Sequence, residues 1–281
     1  MNYLSILNYG NKILKSKKIT SYKLDTELIL AKVLNKSREE ILTNLNLTLK
    51  EKDFYSFKKL LIRRKKNEPM AYIFRQKDFW KYKFFVNKDV LIPRPETEII
   101  IEEVLKLTKH NSSRLFLDVG TGSGCLIISI IKERPNSYGT AIDISKKAID
   151  IAVNNAKMHH LENKIKFLNI DIDKFIANKY DFIVSNPPYI NNTKFKRLEI
   201  NVKQFEPTIA LKAGVDGLKI IEKLILKSKK LLKNNGKLIF EIGENQEGKV
   251  RKLLMKNKFC INRICKDIRS WPRVVVSTKI F

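Results

Sequence analysis

Residues 115–124 read Leu-Phe-Leu-Asp-Val-Gly-Thr-Gly-Ser-Gly, an apolar run that leads into three closely spaced glycines. The run has the length of one buried strand, and the glycines predict a tight turn, because glycine tolerates positive φ and lets a ligand approach the backbone. In an open α/β sheet, such a turn lies at the carboxyl edge of a strand, where ligands bind. We therefore expect a strand over Leu115–Val119, a ligand-binding turn and a helix over Cys125–Arg134.

Strands and helices alternate along the chain after this turn, which predicts a parallel sheet covered by helices. The remaining predicted strands are Thr140–Ile144, Ile165–Ile170, Phe182–Ser185 and Lys237–Ile242. The predicted helices between and after them are Lys146–His159, Gly217–Leu232 and Gln246–Lys256. Two further runs, Cys260–Asp267 and Val274–Ile280, are expected to form an antiparallel hairpin at the end of the sheet. The expected fold class is therefore α/β: a Rossmann-like, mostly parallel sheet with a C-terminal hairpin, as in the class I methyltransferases that use S-adenosylmethionine.

The chain before residue 70 is predicted to form a small bundle of four short helices, a kind of unit that often binds a partner. Thr20 or Ser21 is a candidate cap of the second helix, and Ser37 is a candidate start of the third. The fourth helix is expected over Lys50–Lys66, and Pro69 is expected to end the bundle.

A β-hairpin is expected to follow the bundle, with strands over Phe79–Phe85 and Asp89–Ile92 and a turn at Asn87-Lys88. The segment Ile92-Pro93-Arg94-Pro95 is expected to be rigid and extended, since each proline restricts itself and the residue before it. A helix is expected over Glu96–Leu107. The predicted domains are thus a helical docking unit over residues 1–70, a hairpin linker over 71–95 and a catalytic α/β domain over 96–281.

The composition of the 281 residues, 43% hydrophobic and 30% charged, fits a folded chain rather than a disordered one. No apolar run approaches the roughly 20 residues of a membrane span, and residues 1–18 lack the pattern of a signal peptide, so a cytoplasmic location is expected. The formal charge of +27 fits a nucleic-acid or ribosomal partner or the mutational bias of an AT-rich genome. We favour bias because the basic residues are spread along the chain. The three cysteines and three histidines form no zinc pattern, so no metal site is expected.

Acidic residues at three strand ends predict which ligand the glycine turn binds. The glycine spacing differs from the dinucleotide fingerprint, whereas S-adenosylmethionine has no pyrophosphate and needs acceptors for its amino group, which Asp118 and loop carbonyls can supply. Asp143 lies about 20 residues after the turn, where a carboxylate accepts both ribose hydroxyls. Asp171 is either an acceptor for the adenine amine or a surface carboxylate, and the sequence favours neither. The turn residues expected to bind the cofactor are Gly120, Thr121, Gly122, Ser123 and Gly124.

The fourth strand runs into Asn186-Pro187-Pro188-Tyr189, which predicts the chemistry. Proline has no N–H, so this loop presents acceptors without competing donors. The Asn186 side-chain oxygen and the Pro187 carbonyl are expected to accept one hydrogen each from a planar NH2 group, which directs the nitrogen lone pair and favours the charge of the transition state. Tyr189 is expected to stack on that group, and Pro188 completes the substrate site. Orientation then supplies much of the rate, so no strong general base is expected.

Four segments of the chain resemble the HemK/PrmC protein-(glutamine-N5) methyltransferases. They are Ile92-Pro93-Arg94-Pro95-Glu96-Thr97-Glu98, Asp118–Gly124, Asn186–Ile190, and Phe205-Glu206-Pro207 with Ala210-Leu211. The resemblance covers essentially the whole chain, and the first segment is the most specific to that family. It implies that the chain uses S-adenosyl-L-methionine to methylate the glutamine of the Gly-Gly-Gln motif in class 1 peptide chain release factors. It also implies that Asn186 contacts the cofactor as well as the glutamine.

The adenine site departs from the usual pattern of that family. Its members often carry Trp directly after the acidic residue of the third strand, in contact with adenine. Here the position is Ile172, so the adenine wall is expected to be aliphatic.

Other functions remain open at this point. A ribosomal-protein glutamine methyltransferase shares both the motif and the chemistry. A DNA adenine-N6 or cytosine-N4 methyltransferase shares the Asn186-Pro187-Pro188-Tyr189 tetrad. Such an enzyme flips its target base and usually carries a target-recognition region, for which the short gap between Tyr189 and Gly217 leaves little room. The intact tetrad disfavours a scaffold without activity. The expected state is a monomer with no stable nucleic-acid partner and no membrane partner.

Overall fold

A computed structural model of the chain describes residues 1–177 and 179–280, which form two compact units. The first unit comprises Met1–Arg75 with Glu199–Phe205, and the second comprises Gln76–Leu198 with the chain from Glu206 onward. No helix among the described residues is both long enough and apolar enough to cross a membrane.

The first unit is helical, as predicted. Its helices are α1 (Tyr3–Lys15), α2 (Tyr22–Leu34), α3 (Arg38–Thr43), α4 (Glu51–Lys65) and α5 (Met70–Phe74), joined later in the chain by Ile200–Phe205, which is α10 in chain order. Ser37 starts α3 as expected: its hydroxyl accepts from the Glu40 N–H, and the Glu40 carboxylate accepts from the Ser37 N–H. Phe57 and Leu61 are buried in the core of the unit together with residues of α1 and α2.

The predicted end of the bundle at Pro69 is wrong. Pro69 is the N-cap of α5, so the helical unit continues to Arg75. A proline fits at the start of a helix because the first backbone N–H groups have no acceptor within the helix. The sequence pattern could not distinguish this start from a stop, because α5 has only five residues.

The second unit is built on a sheet of seven strands with the order β5-β4-β3-β6-β7-β9-β8. The strands are β3 (Leu115–Val119), β4 (Tyr138–Asp143), β5 (Ile165–Asn169), β6 (Tyr180–Ser185), β7 (Leu232–Glu241), β8 (Phe259–Lys266) and β9 (Pro272–Lys279). The strands β3 to β7 pair in parallel, and β9 pairs antiparallel with both β7 and β8. The predicted mostly parallel sheet with a C-terminal antiparallel hairpin is therefore confirmed.

Helices pack on both faces of this sheet. The second unit contains α6 (Glu98–Leu107), α7 (Cys125–Glu133), α8 (Lys146–Met158), α9 (Asn192–Lys196), α11 (Lys219–Leu231) and α12 (Glu247–Lys256), with 3-10 turns at Pro95–Thr97 and Thr208–Ala210. Residues of α6 and α7 share one buried cluster, and residues of α11 and α12 share the other. The chain leaves β3 toward β4 and β5 on one side and returns to β6 and β7 on the other, so the carboxyl ends of β3 and β6 form the crevice where ligands bind in such folds.

The predicted hairpin is displaced. Its strands are β1 (Gln76–Phe79) and β2 (Tyr82–Phe85), with the turn at Trp80-Lys81, and residues 89–92 form no strand. Trp80 adopts a φ of +56°, and partners distant in sequence hold it there. Its backbone N–H donates to Glu98 Oε1 at 2.8 Å, and its indole N–H donates to Glu133 Oε1 at 2.9 Å. A tryptophan in the left-handed region gives no turn signal in the sequence, which explains the error.

Candidate active site

The carboxyl ends of the parallel strands surround a cavity of about 240 Å³ in the second unit. The glycine turn after β3, residues 142–145 after β4, residues 170–172 after β5, and Asn186 with Pro188 after β6 contribute to its wall. Segments 89–97 and 207–212 complete it. The cavity therefore lies at the switch point of the sheet, where the sequence predicts the cofactor.

Eight of the ten predicted cofactor residues line this cavity. They are Gly120, Thr121, Gly122, Ser123, Asp143, Asp171, Ile172 and Asn186. Asp118 and Gly124 are not among the lining residues, and neither are Pro187 and Tyr189 of the predicted substrate site. Ile172 is buried and joins the core cluster of this face, so the wall at the predicted adenine position is aliphatic.

Asp143 holds the glycine turn in place. Its Oδ2 accepts from the Gly122 N–H at 3.0 Å, and its Oδ1 accepts from the Ser145 N–H at 2.9 Å. Gly120 and Gly122 have φ values of +72° and +55°, and a Cβ on either would meet no atom within 4 Å. The backbone of the turn is therefore open to a ligand, and each Asp143 oxygen keeps lone pairs for the hydroxyls of a ribose.

Gly124 has a structural role. Its φ is +81°, and a Cβ there would lie 2.9 Å from Ile128 Cδ1 and 3.2 Å from Ala152 Cβ. The residue is the N-cap of α7 and lets that helix pack closely against α8. It thus positions the turn without lining the cavity.

Replacing Gly124 with alanine is expected to lower the free energy of unfolding by about 2–5 kcal/mol. The left-handed backbone costs an L-residue roughly 1–2 kcal/mol, and overpacking adds roughly 1–3 kcal/mol. Chemical denaturation measures the change. Gly248→Ala is the matched control, because its Cβ meets nothing within 4 Å and it lies in α12, where alanine is favoured over glycine. Equal stability of the two variants would contradict the packing role of Gly124.

Asp118 lies beneath the turn and is 1% exposed. Thr121 Oγ1 donates to its Oδ2 at 2.7 Å, while its Oδ1 is buried without a hydrogen-bond partner in the described part of the chain. Burial, with a smaller contribution from the negative charge of Asp143, raises the pKa of Asp118 to about 7. Burial also raises the pKa of Asp143 itself.

The contribution of Asp118 to the stability of the ligand-free protein is therefore expected to fall as the pH rises from about 4 to 7. An aspartate has a pKa of about 3.9 when unfolded, so protonated Asp118 stabilises the fold at low pH, and that contribution is lost as the pH rises through its folded pKa. Differential scanning fluorimetry should show a flatter pH profile for Asp118→Asn than for wild type, with a residual slope from Asp143. Parallel profiles would contradict the raised pKa.

Asp143 tests whether the cavity fits the expected cofactor, because its carboxylate lies in the cavity wall at the end of β4. It can accept the hydroxyls of a ribose, and its negative charge favours the positively charged sulfonium and ammonium groups of S-adenosylmethionine. The residues at this cavity therefore fit S-adenosylmethionine.

The tetrad after β6 presents acceptors, as the prolines predict. Within residues 1–177 and 179–280, the side-chain Oδ1 of Asn186 and the carbonyls of Asn186, Pro187 and Pro188 accept no hydrogen bond. The next carbonyl, that of Tyr189, accepts from Gln246 Nε2 at 3.2 Å. The free acceptors are thus confined to the part of the loop that the sequence assigns to the NH2 group.

A chain of hydrogen bonds connects the Asn186 side chain to Thr97, Glu241 and Tyr189. Its Nδ2 donates to Thr97 Oγ1 at 2.9 Å, and Thr97 Oγ1 donates to Glu241 Oε2 at 2.6 Å. The Tyr189 hydroxyl donates to Glu241 Oε1 at 2.8 Å. Thr97 and Glu241 are 2% and 1% exposed. The amide of Asn186 is therefore anchored through its nitrogen.

Tyr189 contacts this network and lines a second cavity of about 360 Å³ together with residues such as Gln246 and Arg273. Burial raises the pKa of its hydroxyl, and the carboxylate of Glu241 raises it further. The hydroxyl is therefore neutral and donates to Glu241. Its expected stacking on a planar substrate group stays a prediction.

An ion pair joins the segment Ile92–Glu98 to the segment that contains Glu206, two of the segments that resemble the methyltransferase family. Arg94 Nη2 lies 2.5 Å from Glu206 Oε1, and the Ile92 N–H donates to Glu206 Oε2 at 3.2 Å. The segment after Glu206 is tied to the tetrad, because the Ile190 N–H donates to the Leu211 carbonyl at 3.1 Å. These contacts hold residues 207–212 at the cavity wall.

Sequence reasoning missed Thr97, Glu206 and Glu241 as site residues. Thr97 lies in the segment most specific to the resembling family, which drew attention without a role. Glu241 follows the apolar run Leu238-Ile239-Phe240, so an acidic residue at the end of a buried strand was the available signal. Its partners are 144 and 52 positions away in the sequence, and only the fold brings them together.

Comparisons with known proteins identify the family of this chain. Residues 5–74 match the PrmC N-terminal domain, and residues 96–204 match the Methyltransferase small domain. A release factor glutamine methyltransferase from Buchnera aphidicola subsp. Baizongia pistaciae is 37% identical over 273 residues, which cover 97% of this chain and 98% of that relative. The chain belongs to the release factor glutamine methyltransferase family. The resemblance noted in its motifs is thereby confirmed.

Some relatives are longer than this chain. A bifunctional methyltransferase from Rickettsia prowazekii is 37% identical over 289 residues, which cover 96% of this chain and 56% of the relative. The chain thus spans about half the length of such bifunctional relatives.

A solved methyltransferase structure from Pyrococcus furiosus shares the fold of this family member, with a TM-score of 0.52 and 16% identity over 70% of this chain and 89% of the other. Fold and family together confirm the expected class I α/β architecture and S-adenosylmethionine as the cofactor of the family.

Proposed function

We propose that this protein methylates the side-chain amide nitrogen (N5) of the glutamine in the Gly-Gly-Gln motif of class 1 peptide chain release factors. The observation that carries the proposal is the set of free acceptors on Asn186 and the two prolines beside a cavity that fits S-adenosylmethionine. A glutamine amide has two N–H donors in one plane, which is the complement of that set.

The residues act by orientation and electrostatics. The Asn186 Oδ1 and the Pro187 carbonyl would each accept one amide hydrogen, which increases electron density on nitrogen and aligns its lone pair. The bound cofactor supplies a methyl group already activated by its sulfonium. The proton leaves the nitrogen after transfer, so the site needs acceptors in fixed positions rather than a strong base.

The helical unit is the proposed docking domain for the release factor. Support comes from the match of residues 5–74 to the PrmC N-terminal domain and from the names of the relatives, which call them release factor glutamine methyltransferases. We further propose that the protein acts in the cytoplasm as a monomer without a stable nucleic-acid partner.

Mass spectrometry tests the proposal directly. A purified class 1 release factor incubated with the protein and S-adenosylmethionine should gain one methyl group, and fragmentation should locate it on the motif glutamine. A release factor with asparagine in place of that glutamine should gain none, because the amide then lies one methylene further from the cofactor. Methyl groups on both release factors would contradict the proposed site.

A further inference from the structure

Two buried hydroxyls near the proposed substrate site give their hydrogens to the same carboxylate. The Thr97 hydroxyl donates to Glu241 Oε2 and the Tyr189 hydroxyl donates to Glu241 Oε1. Each hydroxyl has one hydrogen to donate, and the two hydrogens go to different oxygens of Glu241. An ionised carboxylate accepts at both oxygens, whereas protonation would turn one of them into a donor.

The charge environment of Glu241 comes from named groups. The pKa of Glu241 is raised overall, with burial as the largest cause and Glu96 adding to it, while the hydrogen bonds from Thr97 and Tyr189 and the positive charge of Arg273 act in the opposite direction. Arg273 itself is held by Asp267, whose Oδ2 lies 2.9 Å from Arg273 Nη2. The two hydroxyl donors and this cation oppose the effect of burial and stabilise the ionised carboxylate, which is the form that accepts at both oxygens.

The direction of the first hydrogen bond determines the next one. Because Thr97 has given its hydrogen to Glu241, its oxygen can only accept from Asn186. An amide offers donors on nitrogen and acceptors on oxygen, so Asn186 must turn its Nδ2 toward Thr97, as the 2.9 Å bond has it. The Oδ1 atom is then left without a partner among the described side chains and free to accept from a ligand.

We propose that Glu241 is a positioning residue that, through Thr97, fixes which end of the Asn186 amide faces the substrate. The inference rests on the proposed function, since it explains why the tetrad presents an acceptor rather than a donor to the glutamine NH2 group. Glu241 itself lies outside the residues that line the cavity.

Glu241→Gln changes the direction of the network at nearly constant shape. A glutamine has one acceptor oxygen, so one of the two hydroxyl hydrogens loses its acceptor. When the Gln nitrogen faces Thr97, the Thr97 hydrogen turns to Asn186, and the amide rotates to present a donor to the substrate. We expect kcat for release factor methylation to fall at least about tenfold, since the loss of one preorganised hydrogen-bonding group at a reacting atom costs roughly 10²–10³ in kcat. The affinity for S-adenosylhomocysteine should stay within about twofold.

The matched control is Glu103→Gln, which removes another carboxylate that is 1% exposed but lies in α6 and pairs with Lys106 and Arg263. It should lower thermal stability and leave kcat within about twofold of wild type. A kcat loss in Glu103→Gln equal to that in Glu241→Gln would overturn the positioning role, because any buried charge would then suffice.

A second pair of variants separates the hydroxyl from the shape of Thr97. Thr97→Val should lower kcat in the same way, because Asn186 loses its anchor. Thr97→Ser, which keeps the hydroxyl, should restore most of it. Equal rates for the valine and serine variants would overturn the inference.

A readout on the enzyme alone keeps this inference distinct from the proposed function. The side-chain NH2 resonance of Asn186, assigned by its loss in Asn186→Ala, should shift in Glu241→Gln and stay in place in Glu103→Gln. An unshifted resonance in Glu241→Gln would overturn the inference whatever the rates. If wild-type protein transferred no methyl to release factors, the proposed function would fail, and the resonance comparison would still decide the orientation of the amide.

Discussion

Replacing Asn186 with alanine is expected to lower kcat for methyl transfer about 10²–10³-fold while S-adenosylhomocysteine binds within a few-fold of wild type. The variant removes the Oδ1 acceptor of Asn186, and loss of a single preorganised hydrogen-bonding group at a reacting atom has effects of this size. The cofactor keeps the glycine turn and Asp143, which line the same cavity. Thr97 loses a donor, which costs the fold only about 1 kcal/mol.

Steady-state kinetics with a release factor and calorimetry with S-adenosylhomocysteine measure the two halves of this expectation. Asn192→Ala is the control, since Asn192 is exposed at the start of α9 and lines neither cavity. Wild-type turnover in Asn186→Ala would refute the acceptor role. A joint loss of turnover and cofactor binding would show instead that the residue serves the cofactor.

Asp143→Ala is expected to raise the Kd for S-adenosylmethionine about a hundredfold. Its carboxylate accepts from the backbone of Gly122 and Ser145 and is predicted to accept from the ribose hydroxyls as well. Hydrogen bonds to a charged group contribute roughly 1.5–3 kcal/mol each, so the loss of two costs about 3 kcal/mol, which corresponds to a factor of about 10². Gly122 would also lose the acceptor of its N–H, while Gly120 and Thr121 would still donate to the Ile142 carbonyl.

Isothermal titration with S-adenosylmethionine measures this change. The control is Asp150→Ala, which removes an exposed carboxylate of α8 that pairs only with the exposed Lys146 among the described residues and contributes little. An unchanged Kd in Asp143→Ala would contradict the placement of the cofactor at the carboxyl end of β4.

The parts of this protein that follow from local pattern could be predicted from its sequence. An apolar run before three glycines marks β3 and its turn, and alternation of strand and helix periods marks the parallel sheet. The tetrad at Asn186 could be assigned to planar nitrogen chemistry because proline lacks a donor, whatever the surrounding fold. These features need no knowledge of distant contacts.

The parts of the structure that depend on partners distant in sequence could not be predicted from the sequence. The turn of the first hairpin lies at Trp80 because Glu98 and Glu133 hold a left-handed tryptophan, and neither partner is visible from the local sequence. The anchoring of Asn186 by Thr97 and Glu241 joins three segments of the chain. Asp118 was expected to contact the cofactor because it lies near the end of β3. It lies instead below the lining of the cavity, where burial raises its pKa.

The proposal that a release factor receives the methyl group is tested most directly by one competition assay. Tritiated S-adenosylmethionine is supplied with equal amounts of a class 1 release factor, ribosomal proteins and duplex DNA, with Asn186→Ala as the blank. We predict label on the release factor alone, lost when the motif glutamine is replaced. Label on ribosomal protein or DNA with none on the release factor would contradict the proposed function.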